Sequence, residues 1–226
     1  HVGRRAEPYV TSSTLEDRVA GWLREIRGQV VPRPHLQLAP TRCALLVVDM
    51  LQYFVSPNGR CFLPAAPAIV PQINLLIDMW RRLGAAVFYP CHGHHIDDDL
   101  GMLGKFFADH ISAGEPQAQL VDGITPGIGD VVFRKTTYDA FFKTDLERWL
   151  RERSLDQVLI TGVLTHLCCE TTARAAFCRG FEVYVAADAT ASSTEKFHVN
   201  SLLGLADGVA VVLGVEEILQ QCNAVA

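Results

Sequence analysis

The chain has 226 residues, 49% of them hydrophobic and 20% charged, with a formal net charge of −5 at pH 7. This composition is typical of a globular protein with a substantial core. Because no basic run offsets the negative balance, we expect neither a nucleic-acid nor an acidic membrane partner. No apolar stretch could span a bilayer, no signal peptide is recognisable, and the seven scattered cysteines favour reduced thiols, so we expect a cytoplasmic protein.

The first forty residues contain one predicted amphipathic helix. Residues 13–16 read Ser-Thr-Leu-Glu, a capping box, and an apolar face follows that includes Leu15, Trp22 and Ile26. Gly28 and the prolines after it end the pattern. We therefore predict an N-terminal arm over residues 1–40 that packs on the rest of the chain or on a partner subunit. Residues 41–226 form one predicted domain, because no linker or internal repeat divides them.

Apolar strands alternate with helical patterns throughout this domain. We predict strands at 43–49, 85–89, 129–135, 157–161, 181–187 and 209–213. We predict helices at 67–83, 144–153, 165–179, 193–205 and 215–220. This alternation favours right-handed βαβ crossovers, and hence an α/β fold with a doubly wound, six-stranded parallel sheet in three α-β-α layers. Residues 90–127 are long and irregular, which is typical of a functional loop.

Three of these strands lead to an ionisable residue. Asp49 ends the first strand, Lys135 ends the third, and Cys168 falls in the first turn of the helix that follows the fourth. Carboxyl ends of neighbouring parallel strands form the ligand-binding edge of an open sheet. A helix start and a nearby cation would favour the Cys168 thiolate, the nucleophilic form of a cysteine. We therefore expect a thiol-based site at this edge.

The motifs around these residues resemble the isochorismatase-like cysteine hydrolases. They are Val-Val-Asp-Met-Leu-Gln-Tyr-Phe at 47–54, Phe-Arg-Lys at 133–135 and Thr-Gly-Val-Leu-Thr-His-Leu-Cys at 161–168. The resemblance runs from about residue 42 to residue 219 and implies a Rossmann-like hydrolase fold. It also implies that Asp49, Lys135 and Cys168 form the family's catalytic triad.

The same resemblance implies a mechanism and a geometry for the turn. Cys168 would attack a carbonyl, Asp49 would act as general acid and base, and Lys135 would hold both anionic partners. The backbone N–H groups of Leu164 and Cys168 would form the oxyanion hole. In this family a cis peptide bond precedes the residue that corresponds to Leu164. The expected reaction is cleavage of a C–N bond in a small amide, ureide or N-carbamoyl compound.

Three alternatives remain open. Family members that cleave a vinyl ether resemble this chain around residues 135–141 and 163–169, but they carry Gly at the position of Cys168. The second hypothesis is therefore vinyl ether hydrolysis by Asp49 without an essential thiol. The third is a catalytically silent binding or scaffold protein. The last is a redox-responsive pair of Cys168 with Cys169, although the spacing of the family motif makes Cys168 the nucleophile and places Cys169 in the core.

Aromatic and histidine residues near the motifs are candidates for substrate binding. Phe54 and Tyr138 could wall a pocket for a flat substrate, and His166 could contact substrate or satisfy the turn backbone. Phe141 fits core packing at least as well. His92, His94 and His95 could be metal ligands, but the Asp-x-His pattern of nicotinamidases is not reproduced, so we expect no metal and no cofactor. The expected partner is a small-molecule substrate, with a homo-oligomeric assembly as dimer or tetramer.

Overall fold

The protein, as a computed structural model, is described over residues 7–225. The first six residues of the predicted arm lie outside the described residues. The strands are β1 Cys43–Val48, β2 Val87–His92, β3 Val131–Lys135, β4 Gln157–Val163, β5 Glu182–Ala191 and β6 Ala210–Leu213. The helices are α1 Leu15–Arg27, α2 Gln52–Val55, α3 Ala66–Arg82, α4 Leu103–Phe106, α5 Leu146–Glu152, α6 Glu170–Cys178, α7 Glu195–Gly208 and α8 Val215–Val225.

The six strands form one parallel sheet in the order β3-β2-β1-β4-β5-β6. All six residues of β1 are buried, as expected for a strand covered on both faces. Alternate side chains of β1 pack into different cores, Leu45 and Val47 on one face and Leu46 and Val48 on the other. The predicted α/β three-layer architecture is therefore confirmed.

The order of the strands reverses between β1 and β4, which makes this the switch point of the sheet. In open α/β sheets the crevice at the carboxyl ends of such strands is where ligands bind. Here β1 and β4 approach each other closely, since Val48 pairs with Gly162. A Cβ on Gly162 would lie 2.0 Å from the Val48 carbonyl oxygen, and Gly162 has a φ of +101°. Only glycine fits this position.

Several predicted boundaries need correction. β2 begins and ends later than the predicted 85–89, and β5 continues past the predicted end at 187 to Ala191. A shift of register after Ile160 lets Gly162 and Val163 pair with this extension, so β5 remains in the sheet. The predicted helix at 193–205 begins at Glu195, because Thr194 provides the cap by accepting a hydrogen bond from the Phe197 N–H.

The arm helix α1 packs on the chain itself. Leu15, Trp22, Leu23 and Ile26 are buried, and they belong to the same two cores as the sheet. The predicted capping box is wrong, because the N-cap Thr14 side chain makes no bond to the helix and instead accepts from the N–H of a residue before it. The homo-oligomer stays a prediction. No helix in residues 7–225 is long and apolar enough to cross a bilayer.

Candidate active site

Asp49 is held rigidly at the end of β1. Its backbone adopts a φ of +49°, and its N–H donates to the Pro90 carbonyl on β2 over 3.0 Å. Its Oδ1 accepts a 2.8 Å hydrogen bond from the His92 N–H, and its Oδ2 lies 2.8 Å from Lys135 Nζ. The side chain is fully buried. The carboxylate is thus fixed between a backbone donor and a cation, with no contact to bulk water.

The alternation of side chains along β3 directs Lys135 into the site. Arg134 faces the other way, and its guanidinium donates to the Gly93 carbonyl and to Asp98 over 3.0 and 2.6 Å. Lys135, the next residue, is 1% exposed. Of these two neighbours, only Lys135 therefore enters the site, because adjacent side chains of a strand point to opposite faces.

Lys135 joins the other two predicted catalytic residues. Its Nζ lies 2.8 Å from Asp49 Oδ2, 2.9 Å from the Thr137 carbonyl oxygen and 3.4 Å from Cys168 Sγ. An ammonium has three donors, so each has a partner. Burial alone would lower the pKa of Lys135, but Asp49 and Cys168 more than offset it and raise the pKa above its ordinary value. The side chain is therefore a permanent cation between a carboxylate and a thiol.

Cys168 lies in a single π-helical turn, Thr165–Cys169, that precedes α6. Only 5% of its surface is exposed. Burial raises the pKa of the Cys168 thiol well above its ordinary value, Lys135 opposes this rise, and the Asp49 charge adds to it. The expectation of a thiolate in the resting protein is therefore wrong. Desolvation by the surrounding core outweighs the nearby cation, and the thiol is neutral at physiological pH.

Cys169 has a different environment from its neighbour. It is fully buried in the core between the sheet and α6, where its Sγ lies 3.8 Å from the Thr161 carbonyl oxygen. This confirms the predicted core position. Both cysteines are free thiols, as are the other five, all of which lie in the described part of the chain.

The turn before Cys168 has the peptide geometry that the resemblance implied. The Val163–Leu164 bond is cis. Leu164 has an extended conformation, and its carbonyl oxygen accepts hydrogen bonds from the N–H groups of Leu167 and Cys169. These bonds fix the turn that carries Leu164 and Cys168, the two residues whose amides are the predicted oxyanion donors.

The three predicted substrate-binding residues have different surroundings. Tyr138 is half-buried, and burial raises the pKa of its phenol, with smaller effects from the neighbouring Cys168 and Lys135, so this side chain lies beside the triad. Phe54 is partly buried against Tyr53, with ring centroids 4.8 Å apart. The Nδ1 atom of His166 is hydrogen-bonded to the Ser192 hydroxyl, so this ring bonds to a side chain and not to the backbone of the turn.

The remaining aromatic candidate, Phe141, belongs to the core. It is 5% exposed and stacks on Phe181 with ring centroids 5.9 Å apart. Arg179 covers the ring at 4.8 Å. Core packing, the interpretation that the sequence favoured at least equally, therefore describes this residue.

His92 is a site residue that the sequence suggested only as a metal ligand. It ends β2 beside Lys135, and its N–H is the backbone donor to Asp49. Burial, aided by the charge of Lys135, lowers the pKa of its imidazole to about 4. The ring is therefore neutral near pH 7. Its place at the carboxyl end of a central strand is the signal that could have identified it.

The loop histidines have different surroundings. His94 is buried with Nε2 2.9 Å from the Thr136 carbonyl oxygen, whereas His95 is exposed. Across residues 7–225, no group of three or more His, Cys, Asp or Glu side chains is arranged to hold a metal ion. The His94 ring thus bonds to the segment that carries Thr136 and Thr137.

The fold and the site together define the class of protein: a Rossmann-like parallel sheet with a buried Asp-Lys-Cys cluster at its switch point. The family model described as Isochorismatase domain matches residues 43–217. The chain therefore belongs to the isochorismatase-like hydrolase family.

Individual relatives agree with this assignment. The chain is similar to Nicotinamidase 3 of Arabidopsis thaliana, at 36% identity over 77% of this chain and 86% of the relative. It is also similar to Enterobactin synthase component B of Escherichia coli, at 34% identity over 80% of this chain and 63% of that relative. Among solved structures, a cysteine hydrolase from Pseudomonas syringae superposes with a TM-score of 0.83 at 26% identity, over 87% of this chain and 99% of that one.

Proposed function

We propose that the protein hydrolyses a C–N bond of a small amide, ureide or N-carbamoyl compound through a thioester on Cys168. The observation that carries this proposal is the position of Lys135 Nζ, 2.8 Å from Asp49 Oδ2 and 3.4 Å from Cys168 Sγ. A thiol nucleophile, a carboxylate base and a cation that bridges them are the groups that acyl transfer needs. The similarity to a nicotinamidase and to a cysteine hydrolase supports the same reaction class.

In the first half-reaction, the Cys168 sulfur attacks the substrate carbonyl carbon while its proton passes to Asp49. The carbonyl oxygen becomes an oxyanion, which the N–H groups of Leu164 and Cys168 stabilise. Asp49 then gives the proton to the departing nitrogen as the C–N bond breaks. Ammonia or an amine leaves, and the acyl group remains on Cys168 as a thioester.

In the second half-reaction, Asp49 takes a proton from a water molecule whose oxygen attacks the thioester carbon. The carbon–sulfur bond breaks, the carboxylic acid leaves, and the proton on Asp49 returns to the Cys168 sulfur. Lys135 keeps one positive charge beside the pair at every step. The net reaction consumes one water and restores all three side chains.

The surroundings of the triad favour a small, flat substrate. Tyr138 lies beside Cys168 and Lys135, and Phe54 and His166 are the other proposed wall residues. The neutral imidazole of His92 adds a partly buried ring without charge next to Asp49. Aromatic walls with few polar groups are typical of pockets for small ring compounds.

The test is a screen of nicotinamide, ureides and N-carbamoyl amino acids for release of ammonia. We expect turnover of at least one class and a fall of about 10³-fold or more in kcat for Cys168→Ala, since removal of a nucleophile commonly has this size of effect. Cys222→Ala, which removes another fully buried thiol, is the matched control and should leave kcat within about twofold. Full activity of Cys168→Ala would contradict the thioester mechanism.

Vinyl ether hydrolysis is the second candidate. The neutral state of the Cys168 thiol favours it, because a resting thiolate is not available and Asp49 is the better placed proton carrier. In that reaction Asp49→Asn would be inactive and Cys168→Ala would retain activity on isochorismate. A protein that turns over neither isochorismate nor any amide would instead fit the binding or scaffold hypothesis.

A further inference from the structure

Residues 7–42 precede the part of the chain that the family model matches, yet two of their aromatic side chains are linked through other residues to the turn that carries Cys168. Tyr9 and Trp22 are in contact, with ring centroids 6.2 Å apart. Both rings face His198 on α7, at 5.9 and 4.6 Å between centroids. Trp22 meets the imidazole edge-on, a favourable geometry for aromatic pairs.

His198 connects this aromatic cluster to the turn. It is completely buried, and burial lowers its pKa to about 3, so the ring is neutral. Its Nδ1 lies 2.8 Å from the hydroxyl oxygen of Thr165, the first residue of the π-helical turn. The Ser201 hydroxyl, one turn further along α7, shares its single proton between the Glu170 carboxylate, at 2.6 Å, and the Thr165 carbonyl oxygen, at 3.2 Å. Thr165 is thus held by α7 through both its side chain and its backbone.

A second connection runs in parallel. The Tyr9 hydroxyl oxygen accepts a 3.0 Å hydrogen bond from the Ser192 N–H. The Ser192 hydroxyl is bonded in turn to Nδ1 of His166, the second residue of the turn. Trp22 also fixes the start of α7 directly, because its indole N–H donates to Glu195 over 2.8 Å.

We propose that Trp22 and Tyr9 are positioning residues for the nucleophile, acting through His198 and Ser192 on the Thr165–Cys169 turn. This inference rests on the proposed function only for its effect on turnover. A thiol that must reach a carbonyl within about 0.5 Å of its productive position is sensitive to small movements of the turn that carries it. The arm would therefore complete the active site and not merely cover the sheet.

The experiment compares Trp22→Leu, Trp22→Phe and Ile26→Ala. Leu removes the aromatic contact with His198, whereas Phe keeps a ring there. Ile26 is a matched control, since it is 2% exposed on the same helix but packs in the other core. The primary measurement is hydrogen–deuterium exchange of the amides in residues 164–169 of the full chain, followed by mass spectrometry.

For Trp22→Leu we expect exchange in this turn to accelerate by about tenfold, with the core strands β1 and β4 unchanged. Trp22→Phe should restore most of the protection, and Ile26→Ala should leave the turn at the level of the unmodified protein. Equal acceleration in Trp22→Leu and Ile26→Ala, or acceleration spread evenly over the sheet, would overturn the proposal because it would indicate general destabilisation.

Turnover gives an independent measurement. With an amide found in the screen, Trp22→Leu should lower kcat by about tenfold while KM stays within about twofold, because the chemical step and not binding depends on the turn. An unchanged kcat would overturn the positioning role. If the unmodified protein hydrolyses none of the amides, the proposed function fails, and the exchange measurement still decides whether the arm positions the turn.

Discussion

Replacement of Lys135 by Met tests the central geometry of the site. Met has a similar length and no charge, so the change removes the cation and little volume. The side chains of Lys135 and Asp49 are both 0% exposed. The variant would therefore leave the Asp49 carboxylate buried with the His92 N–H as its remaining fixed donor. Removal of one partner of a buried ion pair costs about 3–5 kcal/mol of folding free energy.

This cost depends on pH in a definite direction. A buried carboxyl that has lost its cation favours the neutral form, so folded Lys135→Met binds more protons than its unfolded chain at pH values above about 4. The stability of the variant relative to the unmodified protein then falls as the pH rises. We expect the loss to be larger at about pH 8 than at about pH 5.

Urea denaturation, followed by far-UV circular dichroism at the two pH values, measures both quantities. Arg42→Met is the control, because it breaks an ion pair with Asp156 whose side chains are 52% and 45% exposed. That pair should contribute less than about 1 kcal/mol. The double variant Lys135→Met/Asp49→Asn should recover part of the loss, since no isolated charge remains. The reasoning is refuted if Lys135→Met costs no more than Arg42→Met, or costs the same at both pH values.

Three further predictions use other features of the chain. Iodoacetamide at neutral pH should label the exposed thiol of Cys178 well before that of Cys168, because burial keeps the Cys168 thiol neutral and covered. Peptide mass spectrometry measures the order of labelling, and the opposite order would mean that Cys168 is a resting thiolate. Burial raises the pKa of Asp188 to about 6, so the stability of Asp188→Asn relative to the unmodified protein should rise by about 2 kcal/mol between pH 4 and pH 8. The same stability difference in urea titrations at both pH values would contradict this. Gly162→Ala should cost about 3 kcal/mol or more, because its Cβ would lie 2.0 Å from a carbonyl oxygen of the next strand. Gly84→Ala, also at positive φ but in open space, should lower the thermal midpoint much less, by an equivalent of about 1 kcal/mol.

The sequence was sufficient to predict which residues meet at the site. Continuous apolar strands that end in Asp49 and Lys135, and one that leads into Cys168, imply a shared edge once the sheet is parallel. The register confirms that logic, because β1 pairs with both β2 and β4 and brings the three strand ends together. The alternation of side chains along β3 directs Lys135 into the site and Arg134 away from it.

The sequence could not predict the features that depend on exact packing. A π-helical turn at Thr165–Cys169 and an α-helix have nearly the same apolar pattern, since they differ by one hydrogen-bond step. The protonation state of Cys168 depends on how much of the core surrounds it, which a helix-start pattern does not reveal. The links from Tyr9 and Trp22 to the turn join residues separated by more than 140 positions along the chain, so no local pattern could identify them.

In the proposed mechanism, the neutral thiol and the buried ion pair allow the site to react without an exposed thiolate. Before attack the cluster holds a positive Lys135, a negative Asp49 and a neutral Cys168. Transfer of the thiol proton to Asp49 gives a positive Lys135, a neutral acid and a thiolate, so the net charge of the buried cluster does not change. The energetic penalty for burying charge is therefore met once, when the protein folds, and the proton moves between two partners of the same cation. The activity would then depend on the two distances from Lys135 Nζ, 2.8 and 3.4 Å, and not on a low pKa of the isolated thiol.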